Sequence, residues 1–143
     1  MAFEIRALLT NEARQRTAVQ AATGKSFAVT AFALGNAGHD PLDPTTALAP
    51  DPESTTCLST VFGPKAVSSY TFANDSCPVW ECLVDKGEGV TLFSSVCLLA
   101  QILSSPIPGD PEVGTLFLYA LCNLPQRPKF AEESLTLIVG TQR

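Results

Sequence analysis

The sequence predicts an α+β fold that is mostly β, with one N-terminal helix packed on one or more antiparallel sheets in a sandwich-like arrangement. Two observations carry this prediction. One segment near the start of the chain has capping residues at both ends, as a helix does. After it, apolar residues alternate along several short runs that turn residues separate, which is the pattern of β-strands. The 143 residues are expected to form a single domain, 1–143, because this length is typical of one.

The helix is expected at about residues 9–23. Thr10 and Asn11 are both residue types that cap helix N-termini, and Gly24 stands where a helix would end. A stripe of small or apolar residues repeats at every fourth position: Leu9, Ala13, Thr17 and Ala21. Because this stripe is thin for a core element, the helix is expected to lie close against a sheet or a partner helix, and a role at an interface stays open.

The strands are expected where apolar residues alternate, at 27–35, 57–62, 67–72, 80–85, 115–124 and 135–139. Turns are expected at Gly63-Pro64, at Asn74-Asp75 and at 86–89, the last as a hairpin turn, because it has glycines but lacks a phosphate-loop pattern. The apolar run 90–103 is too short for a bilayer span, which needs about 20 residues. It is therefore interpreted as one buried strand or a pair of strands.

A long loop is predicted over residues 36–53. It is rich in proline, which removes backbone donors and biases the preceding residue away from helix. Loops that only connect two secondary-structure elements are usually shorter than residues 36–53. The length of the loop therefore suggests a functional role.

The charge composition limits the classes of partner. The chain has 9 basic and 14 acidic residues, for a net charge of −5, and only 16% of its residues are charged. Its mean hydropathy of +0.19 excludes intrinsic disorder. An acidic balance argues against nucleic acid as a partner, since binding it depends on clustered Lys and Arg. The low charge suggests that other chains cover part of the surface.

Five cysteines occur without any C-x-x-C pair or zinc-ligand pattern. They are expected to be free buried thiols that pack as small apolar groups. An unpaired fifth thiol would be unusual in a secreted protein, so folding in a reducing compartment is expected. The N-terminus also lacks the apolar core of a signal peptide.

Little in the sequence suggests catalysis, a metal or a cofactor. His39, the single histidine, stands beside Asp40 and Asp43 and could in principle bind a metal or act as a base. The alternative is that His39 is an ordinary polar side chain of a proline-rich loop. Glu81 and Asp85 form a carboxylate pair by spacing but are expected to face solvent. The chain is therefore not expected to be an enzyme.

Several segments, read in order, resemble the phage tail-collar fibre family, the module that begins many tail fibres of contractile-tailed phages. The matching segments are 9–11 (LTN), 22–25 (ATGK), 32–35 (FALG), 38–48 (GHDPLDPTTAL), 78–82 (PVWEC), 87–92 (GEGVTL), 116–120 (LFLYA) and 124–129 (LPQRPK). The resemblance implies a virion structural protein that joins fibre to baseplate and has no catalytic residues. It also implies assembly in the bacterial host cytoplasm, location in the virion tail, and a homo-oligomer, with a trimer favoured.

Family members often continue into a fibre shaft and a receptor-binding tip, whereas this sequence stops at Arg143. The resemblance therefore favours an adaptor whose partners are baseplate proteins and a separate tail-fibre protein. Partner contacts are expected in the loop 38–53, since loops carry recognition, and in the last strand, since a terminal strand can pair with another chain. The residues expected to make them are His39, Asp40, Leu42, Asp43, Leu48, Leu137 and Val139.

An alternative function is a carbohydrate- or small-ligand-binding β module. Trp80, Tyr70 and Tyr119 could supply stacking surfaces for such a ligand. All three lie in alternating strand runs, where packing in the core is the better explanation.

Overall fold

The computed structural model of the chain describes residues 2–74 and 77–142. It contains one helix, α1 (Asn11–Thr23), and ten strands. In chain order the strands are β1 (Ala2–Leu9), β2 (Ser26–Gly35), β3 (His39–Asp40), β4 (Asp43–Ala47), β5 (Thr60–Ala66), β6 (Ser69–Asn74), β7 (Cys77–Val84), β8 (Leu92–Ser104), β9 (Leu116–Pro128) and β10 (Leu135–Gln142). Asp75 of the predicted turn and Arg143 lie outside the described residues.

The predicted class, mostly β with one helix on an antiparallel-rich sheet, is confirmed. Eight strands form one sheet in the order β5-β2-β8-β9-β1-β10-β7-β6, and β3 and β4 form a separate two-stranded hairpin. The large sheet curls around a core built from alternate residues of its inner face. Side chains therefore meet across the core from strands that are not neighbours in the sheet.

The two edge strands, β5 and β6, are joined by only two residues, Val67 and Ser68. The Val67 amide donates to the Thr30 carbonyl on β2 (3.1 Å), and the Ser68 amide donates to the Glu81 carbonyl on β7 (2.8 Å). The short link thus holds one side of the sheet to the other. It explains why the sheet curls, because strands at opposite edges of an open sheet could not be connected so directly.

The sequence analysis does not predict strand β1. No element is expected over residues 2–8, and Leu9 is expected to begin the helix. In the structure β1 lies between β9 and β10, and it pairs with β10 in parallel from Ala2↔Thr136 to Leu8↔Gln142. Ile5, Ala7 and Leu9 are buried while Glu4 and Arg6 are exposed, which is the alternation of a half-buried strand. Leu9 therefore ends a strand instead of beginning the helix.

The helix begins and ends at the capping residues that the sequence indicates. The Thr10 hydroxyl accepts a hydrogen bond from the Ala13 amide (3.0 Å), and Gly24 adopts a left-handed conformation with φ of 79°. Ala13 is the only residue of α1 that is buried. The helix thus packs lightly against the sheet, as its thin apolar stripe predicts.

Two predicted turns are wrong in detail. β5 continues through Gly63-Pro64, where a turn was expected, because a proline without an amide hydrogen is tolerated on an edge strand. Residues 86–89 do form a turn, but they join β7 to β8, which are not neighbours in the sheet, so the turn is not that of a hairpin. Residues 92–103 of the apolar run 90–103 belong to the single strand β8, which confirms one strand and not a pair. No helix among the described residues is long and apolar enough to cross a bilayer.

Candidate functional site

The predicted loop 36–53 contains an ordered β-hairpin that the proline-rich sequence does not reveal. Its strands β3 and β4 pair in an antiparallel manner, with His39 opposite Ala47 and Asp40 opposite Asp43. Every residue of β4 is exposed to solvent, although the strand lies alongside β9. Cross-strand pairing therefore shapes a segment whose composition indicates only a loop.

The tip of the hairpin presents Leu42 to solvent with 94% of its surface exposed. The Leu42 amide donates to Asp40 Oδ1 (2.9 Å), and Asp43 accepts hydrogen bonds from Thr45 Oγ1 (2.6 Å) and Thr46 Oγ1 (2.7 Å). These bonds, led by the one from Thr45, hold the pKa of the Asp43 carboxyl below its ordinary value. The tip is therefore fixed in shape before it meets any partner.

The base of the hairpin is attached to β8 through Ser94. The buried Ser94 hydroxyl accepts a hydrogen bond from the Gly38 amide (2.8 Å), and its oxygen lies 2.8 Å from His39 Nδ1. A side chain at Gly38 would collide with the Ser94 carbonyl oxygen, so the close approach requires glycine. The sequence analysis does not identify Ser94 as a site residue. Its position as a polar residue inside the apolar run 90–103 is the feature that could have indicated a role.

The far side of the hairpin is attached to β9. The Leu48 amide donates to the Gly38 carbonyl (2.8 Å), and Asn123 Nδ2 donates to the Leu48 carbonyl (3.1 Å). Leu48 keeps 42% of its surface exposed and lines a groove of about 170 Å³ between the loop and the sheet, together with Leu58 and Asn123. The hairpin and this groove form one continuous surface.

A disulfide between Cys57 and Cys97 fixes the end of the long loop to β8, with Cα atoms 6.0 Å apart. The prediction that all five cysteines are free is therefore wrong for these two, and the inference of a reducing compartment loses its basis. A pairing across 40 residues leaves no local pattern, which is why the sequence did not show it. Cys77, Cys82 and Cys122 are free, and burial raises the pKa of Cys82 to about 12.

The residues considered for metal or base chemistry are engaged in structural contacts. The described residues contain no group of three His, Cys, Asp or Glu side chains that could hold a metal ion. His39 and Ser94 have the types of a base and a nucleophile, but Ser94 has none of its surface exposed and cannot reach a substrate. Their contact therefore positions the hairpin.

The last strand does not offer the partner contacts expected of it, and this prediction is wrong. β10 lies between β1 and β7 and is paired on both sides, so it has no open edge for another chain. Leu137 is 1% exposed and Val139 is fully buried. The alternation of apolar residues in this strand predicts one apolar face. In the structure that face packs in the core, because β10 is a central strand.

The three aromatic residues considered for ligand stacking lie in different surroundings. Trp80 is 8% exposed, and its ring packs edge-on against Tyr119 with centroids 5.8 Å apart. Tyr70 lies opposite Trp80 on the edge strand β6 and is 65% exposed. Of the three, Tyr70 alone offers an open ring face, so they do not form a shared stacking platform.

Comparisons with protein-family models, with curated proteins and with solved structures find no match to this chain. The tail-collar resemblance therefore rests on the order of its sequence motifs alone.

Proposed function

We propose that this protein is a structural attachment protein, an adaptor between baseplate and tail fibre of a contractile-tailed phage, and that its hairpin 39–47 docks into a neighbouring protein. The observation that carries the docking role is the exposure of Leu42 at the tip of a hairpin whose base is fixed to the sheet. The phage assignment comes from the ordered motifs that resemble the tail-collar fibre family.

Water around the exposed Leu42 side chain favours its burial against a partner. A fully exposed leucine side chain gains about 1.5–3 kcal/mol when it is buried, so its exposure at a tip favours association with an apolar pocket. The hydrogen bonds of Asp40 and Asp43 already fix the backbone around it. Little conformational entropy remains to be lost on binding, which suits a permanent structural contact.

The charge of the hairpin indicates the chemistry of its partner. Asp40 and Asp43 flank Leu42, and the low pKa of Asp43 keeps that carboxylate charged at neutral pH. No lysine or arginine lies in residues 36–53. A partner pocket with an apolar floor and a rim of basic residues would complement this tip.

The function is tested on phage particles that contain a tagged copy of this chain. Negative-stain microscopy with a label on the tag is expected to place it on the tail apparatus, and labelled particles without tail signal would refute the assignment. The Leu42→Asp variant is expected to fold normally but to be lost from particles. Ile107→Asp is the matched control, because Ile107 is 63% exposed but follows the opposite end of β8 from Ser94.

If Leu42→Asp and Ile107→Asp enter particles equally well, the hairpin is not the docking element. That result would leave the virion location intact, so the two parts of the proposal are tested separately.

A further inference from the structure

Strand β6 forms one edge of the large sheet and carries two exposed aromatic side chains. It is hydrogen-bonded to β7 on one side, and no described strand lies on its other side. Tyr70 is 65% exposed and Phe72 is 61% exposed, with their rings edge to face at a centroid distance of 6.0 Å. Large rings on an open strand edge are unusual, because such an edge is a template for another strand.

The other edge strand shows how this protein protects an edge. β5 contains Pro64, which offers no amide hydrogen, and Lys65, whose ammonium group donates to the Leu83 carbonyl (3.0 Å) and to Glu88. Proline and lysine are residues that natural proteins use to prevent edge pairing. β6 contains neither proline nor any charged residue. The absence of this protection on one edge alone indicates that β6 pairs with a strand.

The sequence of β6 is complementary to itself. Tyr70 and Phe72 lie at equal distances from Thr71, one on each side. If two copies of β6 pair in an antiparallel manner with the two Thr71 residues opposite each other, each Tyr70 faces a Phe72 of the other copy. Aromatic pairs and threonine pairs are both favourable across strands. The pairing brings no charged residues of the two β6 strands together, because β6 has none.

We propose that β6 is the contact through which two copies of this chain associate, in an antiparallel pair with a two-fold axis at Thr71. The pair extends the sheet across both copies, since each β6 supplies the missing neighbour of the other. The proposal does not rest on the proposed attachment function, because its observations concern the edge strand β6 and not the hairpin or its contacts with β8 and β9.

The surface available at the contact is small for a protein–protein interface. Aromatic side chains bury about 200 Å² each, so the exposed parts of the four rings supply about 500 Å² together. Stable interfaces bury about 1,200 Å² or more in total. The main chain and Thr71 add to the ring surface, but the contact stays at the small end. We therefore expect a dimer that dissociates on dilution.

The first test is analytical ultracentrifugation of the full chain from low micromolar to millimolar concentration. A reversible monomer–dimer equilibrium is expected, and Phe72→Lys should keep the chain monomeric because it brings positive charges together at the pair. The matched control is Val90→Lys, a residue that is 54% exposed and lies outside β6, in the segment between β7 and β8. Thermal melts of both variants check that the fold is retained.

The second test is disulfide crosslinking at the two-fold axis. Opposite Cβ atoms in an antiparallel pair lie about 4.5–5.5 Å apart, so Thr71→Cys should form an intermolecular disulfide under mild oxidation. Val90→Cys should not. Three results would overturn the proposal: a monomer at every concentration, a trimer or dimer whose mass is unchanged by Phe72→Lys, or equal crosslinking of both cysteine variants. Glycan binding by a strictly monomeric chain that is lost in Phe72→Lys would assign β6 to ligand recognition instead.

Discussion

The Ser94 hydroxyl oxygen lies 2.8 Å from His39 Nδ1 and also accepts a hydrogen bond from the Gly38 amide. A single buried group on a core strand thus holds the first residues of the exposed hairpin. The contact joins the rigid sheet to the segment that we propose as the docking element, and it accounts for the defined geometry of a proline-rich loop.

Removal of this hydroxyl is expected to loosen the hairpin without unfolding the protein. Ser94→Ala leaves the Gly38 amide without its acceptor, which costs about 1–3 kcal/mol of the free energy of unfolding. Urea denaturation measures the loss, and amide hydrogen exchange should show faster exchange in residues 38–48. Ser104→Ala removes only an exposed contact with the Ser26 hydroxyl (2.6 Å), so it should change stability by less than about 0.5 kcal/mol and leave exchange in residues 38–48 unchanged. Unchanged exchange in Ser94→Ala would show that the hairpin is held by other contacts.

Among the polar side chains, we expect Lys129 to contribute most to the free energy of unfolding. Its side chain is 1% exposed, and its ammonium group donates to the carbonyls of Asp85 (3.1 Å), Glu88 (3.0 Å) and Phe130 (2.9 Å). Lys129→Met leaves these oxygens without a donor and should lower the free energy of unfolding by about 2–4 kcal/mol. Urea denaturation measures this change.

Lys86→Met is the control for Lys129, because the exposed Lys86 side chain lies between Asp85 and Glu88, whose carbonyls accept the hydrogen bonds of Lys129. An exposed substitution of this kind should change stability by less than about 0.5 kcal/mol. Equal effects of the two variants would show that the carbonyl contacts of Lys129 contribute nothing.

Arg16 of α1 and Lys25 form ion pairs with the loop between β8 and β9, and these ion pairs should be lost in acid. The Lys25 ammonium donates to Asp110 (2.9 Å), which lowers the pKa of Asp110 from 3.8 to about 2, and Lys25 and Arg16 also lower the pKa of Glu112. A lowered carboxyl pKa stabilises the fold above the unfolded-state value and loses this effect as the pH falls through the folded-state value. Stability should therefore fall between about pH 4 and pH 2.

Thermal melting across this range measures the effect, and Asp110→Asn should reduce the dependence on pH. Glu132→Gln, at an exposed glutamate, should leave it unchanged. The same ion pairs raise the pKa of Lys25 through its hydrogen bond to Asp110. Their stabilising effect should therefore also disappear as the pH rises above 10.5.

Reduction of the Cys57–Cys97 disulfide is expected to destabilise the protein and free the long loop. A crosslink that closes 40 residues of sequence typically contributes about 2–4 kcal/mol. Urea denaturation of Cys57→Ser measures the loss, with Cys77→Ser as the control. Alkylation in denaturant without reductant should label three cysteines and leave two unlabelled. Five labelled cysteines would show that the disulfide does not form.

The extent of sequence-based prediction differs between the fold and the candidate site. The capping of α1 by Thr10 and Gly24 could be predicted because each cap depends on residues within a few positions. The loop that carries Leu42 could be predicted for a similar reason, since its prolines and aspartates act locally. Ser94 could not be predicted as a site residue, because its role depends on a contact between positions 55 residues apart.

The assignment of Leu137 and Val139 failed for a related reason. Alternation in the sequence shows that one face of a strand is apolar, but it does not show whether that face meets the core or another chain. The parallel pairing of β1 with β10 places β10 in the interior of the sheet. Only the order of the strands decides between the two outcomes.

The mostly β class, the single capped helix and the proline-rich loop at residues 36–53 follow from the sequence, because they depend on local conformational preference and on the period of apolar residues. The tertiary structure decided the curled strand order, the Cys57–Cys97 pair, the burial of Lys129 and the open aromatic edge at β6. Each of these depends on which distant segments of the chain lie side by side, and that is fixed by the packing of the whole sheet around its main core and a smaller apolar cluster that contains Cys97 and Leu118.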